Sequence, residues 1–219
     1  MIGIAYLITR KHPENCLFDM LNLSGFNVGT FVMPFLQTFV TPTGFLSICL
    51  FDIGNSIMCT GTTYAIASGT GTGLTLVKTI LKRMFSSGPI CSYFVMLILA
   101  FVGYTFPATV VDWAKIGANA NAFLAMILLG QSIRFVMPRE QLKELLRLLV
   151  IRLALAMYYL LPFPYEIRKI LALIAWAPVP VVGLIFCIKA KCKPSMAANL
   201  NSLSVACSVV IVSTLLTIL

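Results

Sequence analysis

Charge is what this sequence has least of: 11% of its 219 residues are Asp, Glu, Lys or Arg, against 59% hydrophobic, and mean hydropathy is +0.97. A soluble domain carries about 25% charged residues, so a soluble globular class is excluded and an integral membrane protein is predicted. Histidine is nearly absent too. The single His12 sits in a polar stretch with no ligand set beside it, and the hydrophobic runs contain none. An intramembrane hydrolase needs a nucleophile with its base, or a metal set, so the chain reads as a non-enzyme without metal or cofactor. C-x-x-C pairs are missing among the seven cysteines, which argues against a zinc site or a disulfide framework; they read as small packing residues. A net charge of +9 invites a nucleic-acid partner, but the basic residues fall in short clusters between the apolar runs, so none is expected. The Thr-Gly repeat at 70–73 lacks the Gly-Lys-Ser/Thr that a phosphate loop requires and reads as linker.

What the chain does have is length of apolar sequence. A spanning helix needs about 20 apolar residues, and seven runs qualify, near 23–40, 44–68, 90–110, 116–136, 145–162, 168–188 and 197–219. A stub, Met1 to Ile8, precedes them; it lacks the basic flank and cleavage site of a signal peptide and reads as the cut end of a helix. If the chain after the stub starts in the cytoplasm, thirteen of the sixteen Lys and Arg residues lie inside, leaving Lys115, Arg168 and Lys169 outside, as the positive-inside rule asks. The longest polar stretch, Ser68 to Gly88, divides the chain. Within it Leu76, Val77, Ile80, Leu81 and Met84 repeat at helical spacing beside Lys78, Lys82 and Arg83, which predicts a short helix on the cytoplasmic interface. A charged helix start follows Pro138.

Asp52 lies in a run, Phe45 to Ile66, otherwise free of charge. A carboxylate at mid-helix costs roughly 2.5 to 3.5 kcal/mol on insertion scales, so membrane proteins that keep one place it in a polar interior or ion path. The alternative is a carboxylate satisfied by Asn55 or Ser56 for packing. Two spans carry breakers at mid-depth: Asn27 to Pro34 in the first and Ala177-Pro178-Val-Pro180 in the sixth. A proline inside a helix removes a backbone bond and clashes with the previous turn, and freed backbone at that depth must face protein or a water-filled cavity. Singly, each proline reads as a bend; paired interruptions in two halves point to a transporter binding site. No cationic side chain is expected at mid-membrane. Asn119, Asn121 and Gln131 read as interhelical glue.

SGFNVGTFVMPF (24–35), FDIGNS (51–56), NAFLAMILLGQSI (121–133), WAPVPVV (176–182) and STLLT (213–217), in this order and spacing, make the chain resemble the auxin efflux carrier family, which includes bacterial malate-type permeases. The resemblance implies an all-α polytopic membrane protein: a helical bundle of inverted five-helix repeats with two broken crossing helices, the first repeat incomplete. Residues 1–69 would be the partial first repeat (the end of helix 3, then helices 4 and 5), 70–89 a cytoplasmic linker and 90–219 the second repeat. It further implies a secondary-active permease for small organic anions, working by alternating access in the cell membrane. The residues it carries over are Asn27 and Pro34 at the first break, Pro178 and Pro180 at the second, and Asn55, all as substrate contacts, with Asp52 for ion coupling. The coupling ion, H+ or Na+, stays open. Expected partners are the anion and the lipid bilayer, with a homodimer left open. A non-transporting fragment or accessory subunit and a seven-helix receptor are the competing readings.

Overall fold

Proline sets the start of most elements, because its missing N–H is unneeded in a first helical turn and its φ already suits a helix. In the computed structural model, which describes residues 13–63, 65, 73–86, 88–132, 138–157 and 162–218, every regular element is a helix. The first helix, α1 (Pro13–Leu23), is followed by a π-helical turn (Val28–Val32) that runs into α2 (Met33–Leu36). Helix α3 (Pro42–Ser56) opens behind Thr41, whose hydroxyl accepts the Gly44 N–H at 3.1 Å, and continues as a second π turn (Ile57–Thr62). There follow α4 (Leu74–Phe85), α5 (Gly88–Val102), α6 (Ala108–Ser132), α7 (Arg139–Leu155), α8 (Tyr165–Ala175), α9 (Val181–Lys189) and α10 (Pro194–Ile218).

Among the described residues two helices are long and apolar enough to cross a membrane, Pro42–Cys59 and Pro194–Ile218. The other expected spans are differently bounded. The first is displaced: a helix already occupies Pro13–Leu23, where a polar loop was expected, and it buries Asp19 and Asn22. The sixth is divided into α8 and α9 by an extended segment. Helix α6 begins eight residues before the expected 116, since Asp112 and Lys115 pair at i,i+3 with N···O of 3.0 Å and so fit a helix's first turns. Helix α4 forms where a short helix was expected: Leu74, Val77, Leu81 and Phe85 lie exposed along it, with Lys78 and Lys82 exposed beside them. The expectations for the Met1–Ile8 stub, for His12 and for most of the 70–73 repeat fall outside the described residues.

Packing centres on the two interrupted helices. One core gathers Phe31 and Leu36 after the first break, Ile48 of α3, Leu173 and Ile174 of α8 and Val205 of α10. The other gathers Phe18 and Leu21 of α1, Leu148 of α7, Phe186 of α9 and Leu200 of α10. The breaks lie where these two cores meet. Outside them the surface is apolar: Phe101 and Val102 of α5 and Trp113, Ile116 and Phe123 of α6 are each at least two-thirds exposed.

Candidate functional site

The site begins with backbone that leaves the helix. After Leu23 the chain runs non-helically through Ser24, Gly25, Phe26 and Asn27 (φ −80°, ψ 73°) before the π turn. The first break therefore precedes Pro34 and is not made by it. Pro34 stands in the first turn of α2, directly after the π turn, and the wider π geometry absorbs the bond and the space that a proline ring denies a regular helix. In the second interrupted helix, Trp176 to Pro180 separate α8 from α9, with Pro180 as the extended N-cap of α9. The two breaks touch: the Asn27 N–H donates to the Pro178 carbonyl at 2.9 Å. Glycine allows the approach. A Cβ on Gly25 would stand 1.9 Å from Cys59 Sγ, and one on Gly183 would stand 3.2 Å from both the Leu21 carbonyl and Asn22 Oδ1.

Each break is pinned by a polar side chain of the long helix that follows it. Asn55 of α3 pairs with both backbone groups of Phe26: the Phe26 N–H donates to Asn55 Oδ1 and Asn55 Nδ2 donates to the Phe26 carbonyl, each at 2.8 Å. Ser204 of α10 accepts the Val179 N–H at 3.2 Å. The second Nδ2 hydrogen of Asn55 goes to Asp52 Oδ1 at 3.2 Å, so both donors of this amide are engaged. The Asn55 amide, expected as a substrate contact, fastens the break. Asp52 is 5% exposed, and its Oδ2 accepts the Tyr93 hydroxyl of α5 at 2.9 Å.

A cavity of about 500 Å³ opens beside the crossing. Asn27, Asp52, Asn55 and Pro180 line it, together with Tyr93 and Asn121. Of the sequence-predicted residues, Pro34 and Pro178 stand outside the lining; Pro178 contributes through its carbonyl to the crossing itself. Asn27 is 5% exposed, its Oδ1 accepts the Thr30 hydroxyl, and its Nδ2 has no hydrogen-bond partner. A buried amide donor without a partner costs about 1–3 kcal/mol and is available to an incoming acceptor. Val28, Gly29 and Thr30 open the helical turns after the first break, and Val181 and Val182 open α9; all five line the cavity. Helix N-termini present N–H groups and a partial positive charge, which suits a carboxylate.

On the other side of the crossing lies a residue missed in the sequence. Arg152 of α7 is 3% exposed; its guanidinium donates to the carbonyls of Pro178 at 2.9 Å, Ala177 at 3.1 Å and Asn22 at 3.5 Å, and stands 4.3 Å from the centre of the Phe26 ring. Arg152, grouped in the sequence with the cytoplasmic basic residues, is thus a buried cation. Its signal was available: Arg152 is flanked by Leu-Val-Ile and Leu-Ala-Leu, deeper in the apolar stretch than Arg147. Tyr93 carried no such signal, since an isolated Tyr in an apolar helix is ordinary, and Asn121, read as interhelical glue, lines the cavity instead.

No family model, no curated protein and no solved structure matches this chain.

Proposed function

We propose that this chain is a multi-pass membrane carrier that moves small organic anions of the malate type by alternating access, built on the inverted-repeat plan of the auxin efflux carriers. The observation that carries the reading is the bond between the two breaks, Asn27 N–H to Pro178 carbonyl at 2.9 Å, beside a cavity of about 500 Å³ with an unpartnered amide donor in its wall. Interrupted helices that meet at depth are how membrane carriers build a substrate site out of backbone. The recurrence of one pattern supports the repeat: a break, a Pro-started long helix, and a polar side chain of that helix pinning the break, with Asn55 on Phe26 and Ser204 on Val179. The large apolar side chains exposed on α5 and α6 support a lipid-facing surface, because water-soluble monomers rarely expose contiguous patches of this kind.

On this reading the N-terminal ends at the cavity and the Asn27 amide hold the carboxylate, while Asp52, hydrogen-bonded to Tyr93, lines the same cavity as its carboxylate group. No covalent step is required, and the chain acts in the cell membrane as a permease and not as an enzyme. The test is uptake of radiolabelled malate into proteoliposomes containing the purified chain. Saturable uptake above protein-free liposomes, reduced at least about tenfold by Asn27→Ala, is expected, as the loss of one hydrogen bond to a charged group is worth roughly 1.5–3 kcal/mol. Uptake no greater than in empty liposomes would contradict it.

A further inference from the structure

We propose that the Arg152 guanidinium is a built-in cation of the crossing, occupying the place where carriers with interrupted helices hold a sodium ion, so that the anion site works without sodium. This rests on the transport reading and deepens it.

Three carbonyls converge on the guanidinium, at 2.9, 3.1 and 3.5 Å. The Asn22 carbonyl belongs to the last turn of α1, and those of Ala177 and Pro178 lie just past the end of α8. Both are helix C-terminal ends, where the partial charge is negative. Freed carbonyls and half-helix C-termini are the groups that coordinate sodium in such carriers, and here side-chain N–H groups fill them. The charge cannot leave: arginine stays protonated in proteins, and this one is 3% exposed and tethered to α7. The Phe26 ring, 4.3 Å from the guanidinium, also lines the cavity. A sodium ion at the same carbonyls would meet the guanidinium charge at contact distance.

The test uses the purified full chain and two readouts, its Tm in detergent and malate uptake in proteoliposomes, each measured in sodium chloride and in choline chloride of equal ionic strength. For the wild type both readouts are expected to be the same in the two salts. Arg152→Ala leaves the carbonyls without a cation, so its Tm in choline chloride falls by roughly 5–10 °C and rises again as sodium is added. Arg152→Lys keeps a cation and stays indifferent to sodium. A wild-type Tm or uptake that increases with sodium would overturn the proposal, as would an Arg152→Ala protein equally destabilised in both salts. If Arg152→Ala does not fold, the wild-type titration and Arg152→Lys decide. Absence of malate uptake in every salt would count against the transport reading alone, because the Tm comparison tests the guanidinium independently.

Discussion

The residues around the crossing divide into those whose polar groups are used up and those that keep one in reserve. Asn55 belongs to the first kind, with Oδ1 on the Phe26 N–H and Nδ2 shared between the Phe26 carbonyl and Asp52. Its replacement by Ala removes the side chain that holds Phe26 in place, and about 1–3 kcal/mol of stability should go with it; a clear fall in Tm checks this, and a wild-type Tm would show that the break stands unaided. Asp52 accepts from Tyr93 and Asn55 and is the acid in the cavity wall. Asp52→Asn retains the shape and an acceptor for Tyr93 but removes the charge. Malate uptake by this variant should persist yet no longer respond to an imposed pH gradient, with the folded protein recovered in normal yield. A wild-type response to the gradient would reduce Asp52 to packing.

At the scale of elements, the interruption of α1 and α2 depends on how closely the backbone passes α3. Gly25→Ala would place a methyl carbon 1.9 Å from Cys59 Sγ. Overpacking of this sort costs about 1–3 kcal/mol, and Cys59→Ala, which removes the clashing sulfur, should restore part of the loss in a double-mutant cycle; strictly additive Tm changes would mean that the contact does not limit the approach. Helix α4 carries Lys78 and Lys82 beside its exposed apolar residues, which fits a helix lying on the cytoplasmic surface of a bilayer. A cysteine at Lys82 in a cysteine-free background should resist an impermeant thiol reagent in intact cells and react after lysis, and reaction in intact cells would invert the topology. The sequence made these elements partly legible. Proline marked the start of α7 because its effect on a helix start is local, and the Pro178–Pro180 break before α9 was readable for the same reason. The first break, expected across Asn27 to Pro34, opens earlier, at Ser24 to Asn27, because the feature that opens the helix there is the pairing of Asn55 with Phe26, twenty-nine residues apart, and no local pattern encodes such a partner. Arg152 was counted with the loop cations for a related reason: its burial follows from carbonyls of two distant segments.

Across the whole molecule the crossing sorts helix ends by polarity. N-terminal ends of the segments after each break face the cavity with Asn27, and C-terminal ends of the segments before each break face Arg152. On the proposed reading that arrangement suits an anion at the N-terminal ends, opposite the Arg152 cation, and the exposed apolar side chains of α5 and α6 would face lipid. Asp52, flagged by its isolation in an apolar run, and Asn27, flagged at the first interruption, both line the cavity, whereas Tyr93 and Asn121 join it through the packing of α5 against α3 and of α6 against the first interrupted helix. The most direct measurement of the central claim is equilibrium binding of radiolabelled malate to the purified chain, compared between wild type and Asn27→Ala. The account predicts saturable binding by the wild type and an affinity at least about tenfold weaker in the variant, in keeping with one lost bond to a carboxylate; equal affinity in the two proteins, or no binding by the wild type, would contradict it.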